Sequence, residues 1–282
     1  MLVVLVASAV LRMGNSVCAD IAYPAMMATL ARGVHRISAA SIGILLIIIA
    51  FFVLRCRPVI RSRIIVLGAL CILTSFLAML GRFTSGNPAP AIVIGNVVAG
   101  MALMALFWRM RLEFLPRESY RRPDRQLSVL ATSARSLTAL QIWLGSWVAG
   151  LVAAIGCKPS TSGDELVVWP VAAAWNALNP FRVSIGSIEA SLQALNWLTA
   201  VHGLSAVLVL AVVAMLCLSL QRSSGGLPRA APALMILLGI QVTLGITAIF
   251  VKHALWIGVL HNAVAALLLL KLIDIHYRLH RT

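Results

Sequence analysis

Val201-His202-Gly203-Leu204-Ser205-Ala206 has a twin in Val34-His35-Arg36-Ile37-Ser38-Ala39. Each word opens a long apolar run, and its recurrence points to a duplicated unit. A histidine at the head of a membrane helix is costly enough to need a task. Outward from these words, apolar runs of about 18 to 25 residues recur, the length of a bilayer-spanning helix, and none alternates with the period of two of a barrel strand. The chain has 282 residues, 61% of them hydrophobic and 11% charged, with a mean hydropathy of +0.99. Its apolar content has to face lipid. The fold class is all-α integral membrane, expected as eight transmembrane helices in two pseudo-symmetric four-helix bundles.

Residues 1–13 form an apolar run closed by Arg12, too short to cross about 30 Å of hydrocarbon. A truncated start or a stunted first helix is expected; a secretory signal is the alternative, but no basic segment or Ala-x-Ala site precedes Arg12. Residues 15–34 read as a loop. Further helices are expected over 35–54, 64–81, 91–110, 137–155, 198–220, 233–251 and 255–275, with 157–196 as a long outer segment whose Trp and Ala content suggests an interfacial helix.

A net charge of +15 would suggest nucleic acid in a soluble protein, but in a membrane protein the sign of each loop is more informative. Arg55, Arg57, Arg61 and Arg63 crowd one turn, and seven arginines from Arg109 to Arg135 crowd another. The positive-inside rule explains both without a phosphate- or RNA-binding patch, so no nucleic-acid partner is expected. Only Arg12, Arg32, Arg36, Arg82, Lys158, Arg182 and Lys252 of the 23 Lys and Arg then fall outside. That threading makes a multi-pass protein of the inner (plasma) membrane with both termini cytoplasmic. It divides the chain into an N-terminal half (1–110), a basic linker (111–136) and a C-terminal half (137–282), related as a parallel repeat. The five cysteines have no zinc-like spacing, and only Cys18 and Cys157 fall in outer loops.

His202 and His261 lie near the outer ends of two helices running the same way. Two imidazoles from separate helices of a bundle can hold a heme iron from both sides, and the small Ser205, Ala206 and Ala265 one turn on leave room for the macrocycle. The alternative is that each is an interfacial polar residue. Overlaying the halves puts His35 on His202 and Gly95 through Ala99 on His261 through Ala265. A porphyrin at His35 would then be five-coordinate, with Asn96 or water opposite, which suits binding or oxidising a substrate. Arg12, Arg36 and Arg82 could pair with propionates as bidentate forks, or merely anchor helix ends. Gln141 to Gly145 and Gln241 to Gly245 repeat Q-x-x-L-G, read as close helix packing with a heme-pocket lining as the alternative.

Taken together these residues resemble the heme A synthases. The likeness runs through Arg12 and Ser16 with the Cys-, Asp- and Pro-containing loop after them, His35-Arg36, Leu140 through Gly145 with Cys157 beyond, His202, Gln241 through Gly245, and His261. The resemblance implies an eight-helix hemoprotein in which His202 and His261 hold heme b. His35 would serve the half that oxidises heme O to heme A, a product used by terminal oxidases. Heme O synthase or a terminal oxidase is the partner expected on that ground, besides membrane lipid; a homo-oligomer is left open. The chain departs from the family at Arg32, where an acidic residue is expected, at Gly95, where a second first-half histidine is expected, and in having lone cysteines in its outer loops. A Cys18–Cys157 disulfide is a hypothesis motivated by their equivalent outer loops, with two free thiols as the alternative. Two rival readings remain: a heme b-binding electron-transfer or accessory subunit of a respiratory complex, and a heme-free transporter, which the lack of an acidic residue in mid-membrane argues against.

Overall fold

The computed structural model describes residues 1–16, 25–55, 58, 60–82, 89–115, 125–155, 178–181, 188–223, 227–251 and 255–280. Among them the regular structure is helical, without a strand. The helices are α1 (Leu2–Ser16), α2 (Ala25–Arg55), α3 (Arg61–Gly81), α4 (Pro90–Glu113), α5 (Arg125–Ile155), α6 (Ile188–Gln221), α7 (Ala230–Phe250, led by a 3-10 turn at Leu227–Arg229) and α8 (Leu255–His280). Seven are long and apolar enough to cross a membrane, whereas the apolar part of α1, Leu2–Leu11, is not.

Each half closes into a ring. α1 and α3 both pack against α2 and α4, and α5 and α7 both pack against α6 and α8, so α2 faces α4, and α6 faces α8, across a diagonal. The rings meet along α4–α5 and α1–α8, with α4–α8 and α1–α5 crossing the joint. Exchanging the two halves turns one of these seams into the other, which is the pattern of a two-fold axis between parallel repeats.

The helices run further than their apolar stretches. α2 begins ten residues before the expected start, α5 twelve and α6 ten, so the supposed loop 15–34 and outer segment 157–196 both end in helix. His35 and His202 are therefore inside their helices rather than at the heads. Hydropathy marks only the part of a helix in hydrocarbon, and stretches such as Ile188 to Val201, with no proline or glycine, have no reason to stop at the boundary. At about 1.5 Å per residue α6 is about 51 Å long, well beyond the roughly 30 Å of hydrocarbon.

Large apolar side chains such as Ile47, Phe52, Ile72 and Leu204 are exposed on the outside of the rings, where lipid would cover them. The second bundle is sealed by a core drawn from all four of its helices, including Ala131, Leu216, Leu234 and Leu272. A smaller cluster of Leu144, Leu151, Ala194 and Leu198 closes its other end. Between the two lies the stretch holding the histidines.

Leu272 is fully buried and Ile72 largely exposed. Leu272→Ala should lower stability by about 2 to 5 kcal/mol through the cavity it leaves. Ile72→Ala should change it little, as read by thermal unfolding in detergent.

Candidate functional site

His202 lies in α6 and His261 in α8, and nineteen residues separate each from the C-terminal residue of its helix, Gln221 and His280. Both therefore stand about 28 Å along the axis from that end, at one depth. Both are half-buried, on the two helices that face each other across the diagonal.

Each imidazole is held by a glutamine and a glycine from a neighbouring helix. Gln141 of α5 places its amide Nε2 3.1 Å from His202 Nδ1 and donates to the His202 carbonyl at 2.8 Å. Gln241 of α7 places its Nε2 3.0 Å from His261 Nε2. One turn on, the glycines leave space for the rings: a Cβ on Gly145 would lie 2.9 Å from His202 Cε1, and one on Gly245 3.3 Å from His261 Cε1. An amide N–H must meet a bare ring nitrogen, so in this arrangement each glutamine occupies the ring's one lone pair and the ring proton lies on the other nitrogen. Ligation of a metal needs the opposite orientation, with the amide turned so that its oxygen accepts the ring N–H and the other nitrogen is bare.

The two units differ in what holds the glutamine. Ser205 donates to Gln141 Oε1 and to the His202 carbonyl, whereas Gln241 Oε1 is buried with no hydrogen-bond partner. The residue three after His261 is Val264, which has no hydroxyl to offer.

These residues fit a heme. Among the described residues no group of three His, Cys, Asp or Glu side chains could hold a bare metal ion, and two imidazoles need a further donor set of the kind a porphyrin supplies. The notches at Gly145 and Gly245 and the orphaned Gln241 oxygen mark a cradle that a larger side chain would fill.

The first half is built differently. His35 is half-buried in α2, twenty residues from Arg55, and Gly95 of α4 is eighteen from Glu113. A Cβ on Gly95 would meet Leu80 Cδ2 of α3 at 3.0 Å and Phe76 at 3.9 Å. In the second half an α8 ring fills a glycine notch on α7; in the first half α3 side chains fill a glycine notch on α4. Arg32 is exposed and donates to Thr29 Oγ1 at 3.0 Å. Arg36 on α2 and Arg82 at the end of α3 are exposed. The Arg12 side chain, Cys18 and Cys157 lie outside the described residues.

The profile of the COX15-CtaA family, whose description is "Cytochrome oxidase assembly protein", matches residues 26–273. The chain belongs to this family. A curated heme A synthase of Shewanella oneidensis is 29% identical over 252 residues, covering 86% of this chain and 74% of that protein. No solved structure matches. The sequence resemblance to heme A synthases is thus upheld for nearly the whole length.

In this COX15-CtaA member the histidines were legible from sequence, but the partners that orient them were not. The repeated Q-x-x-L-G was the available signal: it encodes neither packing alone nor a lining alone, but a glutamine and a glycine that act on one histidine each. Because Gln141 also engages Ser205 and the His202 carbonyl, Gln141→Leu should destabilise by about 1 to 3 kcal/mol. Gln241→Leu, which removes a partnerless buried oxygen, should cost clearly less; thermal unfolding of the two variants in the same detergent gives the comparison.

Proposed function

We propose that this protein is a heme A synthase-type membrane oxidoreductase, with a heme b held between His202 and His261 and heme O received as substrate beside His35, its ring methyl oxidised to a formyl with the oxygen taken from water and four electrons and four protons released to an external electron acceptor. The observation that carries the reading is the repeated unit of histidine, glutamine and glycine at one depth on the diagonal of the second bundle, in a chain of the COX15-CtaA family. A bound heme b supplies one-electron chemistry.

The chain's own residues do the rest. Gln141 and Gln241 fix the planes of the two rings, and the leucine-rich core below them excludes water from the side of the arginine-rich turns. His35 is the candidate catalytic residue and would hold the substrate heme. Leu80 and Phe76, packed at Gly95, leave the other face without a protein nitrogen, which suits a substrate iron with an open position. Arg12 and Arg82 stand near the ends of first-half helices and Arg36 next to His35 within α2, and propionates are the groups they would meet. The halves 1–110 and 137–282 divide these two tasks, joined by the basic stretch 111–136. With the arginine-rich turns in the cytoplasm, both termini lie there, and the hemes sit toward the outer side of an inner (plasma) membrane. A heme O synthase or a terminal oxidase is the partner this reading names.

The apolar filling at Gly95 and the arginine at position 32 favour a second reading, a heme b-binding electron-transfer or accessory subunit of a respiratory complex without synthase activity. Extracted pigment separates the two. Heme O or heme A beside heme b supports the enzyme, and heme b alone the accessory subunit.

On either reading the purified protein should show a low-spin bis-histidine spectrum, with heme content falling at least about tenfold in His202→Ala and in His261→Ala, since each removes one of two axial bonds. Retention of the spectrum in both would remove the assignment. Under the first reading His35→Ala should abolish heme A formation while leaving the heme b spectrum in place.

A further inference from the structure

A second polar site lies at the opposite end of the molecule, about 28 Å from the histidine pair along α8. There the start of α3 and the end of α4, from the first half, meet the end of α8, from the second, around a cavity of about 260 Å³. At roughly 30 Å³ per water, that space exceeds what a few bridging waters need. Its walls carry Ser62, Arg63, Arg109, Glu113, His276 and His280.

The charges do not cancel. The one carboxylate is committed on both oxygens: Glu113 Oε1 pairs with Arg109 at 3.3 Å, and Oε2 accepts from the Ser62 hydroxyl at 2.9 Å. Arg63 donates to the Glu113 carbonyl at 3.1 Å, lies over the Phe114 ring at 4.2 Å, and keeps a buried Nε–H without a hydrogen-bond partner. Arg109 lies over the Tyr277 ring. A further cation, Arg135 of α5, sits behind the cavity with Nη1 3.1 Å from His276 Nδ1. A guanidinium only donates, so His276 Nδ1 accepts and the ring proton is fixed on Nε2, which makes the neutral ring a donor. His280 stacks on His276 at 4.1 Å, its Nδ1 2.8 Å from the His276 carbonyl.

Arg63 and Arg109 therefore outnumber Glu113 around a space large enough for a tetrahedral anion, at the level of the arginine-rich turns, with Arg135 against the His276 ring that lines it. We propose that this cavity binds a phosphate group and that the bound phosphate ties the end of α8 to the first bundle. A phosphate offers the several acceptor oxygens that a buried guanidinium N–H and an imidazole N–H can share, and basic pockets between helices on the cytoplasmic side are the sites that anionic head groups occupy. The source is either the phosphodiester of an anionic lipid or free phosphate, and the chemistry of recognition is the same.

The test reconstitutes the whole protein in nanodiscs of phosphatidylcholine alone, of phosphatidylcholine with phosphatidylglycerol, and of phosphatidylcholine with inorganic phosphate at matched ionic strength. Thermal unfolding is read in each, and co-purified phospholipid is measured by native mass spectrometry. The proposal expects the melting temperature to rise with phosphatidylglycerol, or with inorganic phosphate if that is the source. Arg63→Gln should weaken the response about fivefold in affinity, the worth of one basic residue, with unchanged helicity by circular dichroism. Arg222→Gln, on the same face but outside the cavity, should respond like wild type. Equal melting of wild type in all three media overturns the proposal, as does an equal response of wild type and Arg63→Gln. Should Arg63→Gln fail to fold, the wild-type comparison decides alone.

Discussion

The structure depends on seating two imidazoles inside a bundle whose described core is mostly apolar, the buried Thr138, Ser146, Ser191 and Asp274 apart. In hydrocarbon an unpartnered imidazole is expensive, and lipid offers it no hydrogen bonds. The second bundle meets this cost with two glutamines and two glycines, one of each for each ring. All four helices contribute: α5 and α7 supply Gln and Gly, and α6 and α8 supply the histidines. Removing any one helix from the ring would leave a histidine or a glutamine without its partner.

That constraint explains the rest of the second half. Because the rings must sit at one depth, α6 and α8 run parallel with equal lengths beyond His202 and His261, and the leucine and alanine core fills the whole distance below them. The first half repeats the frame without the polar pairing. Its glycine notch at Gly95 is filled by Leu80 and Phe76, so among the described first-half residues His35 is the imidazole that corresponds to His202, with none corresponding to His261. Two bundles of one topology have thus diverged in what fills the centre. The one is suited to hold a cofactor from both sides and the other to receive a ligand from one.

Much of this was legible in the sequence. The helical class follows from hydropathy, and the repeated word at Val34 and Val201 singles out His35 and His202, while His261 is found as a second imidazole near the outer end of a helix running the same way. The helix starts do not, because Ala25 to Gly33 and Ile188 to Trp197 mix polar and apolar residues and hydropathy records lipid contact rather than backbone hydrogen bonding. Nor does the pairing of Gln141 with His202 and Gln241 with His261, since the partners are on different helices and their approach depends on ring closure of the bundle. The cavity at Arg63 and His276 was hidden for the same reason: its walls come from three helices of both halves, and in sequence its arginines read only as a sign of orientation.

The account stands or falls on what lies between α6 and α8. An experimental density map of the detergent-purified protein at side-chain resolution should show a planar macrocycle there, its metal bounded by the His202 and His261 rings, with Gln141 and Gln241 beside them. A map in which the protein carries its pigment elsewhere, or in which the two rings turn away from each other toward lipid, would contradict it.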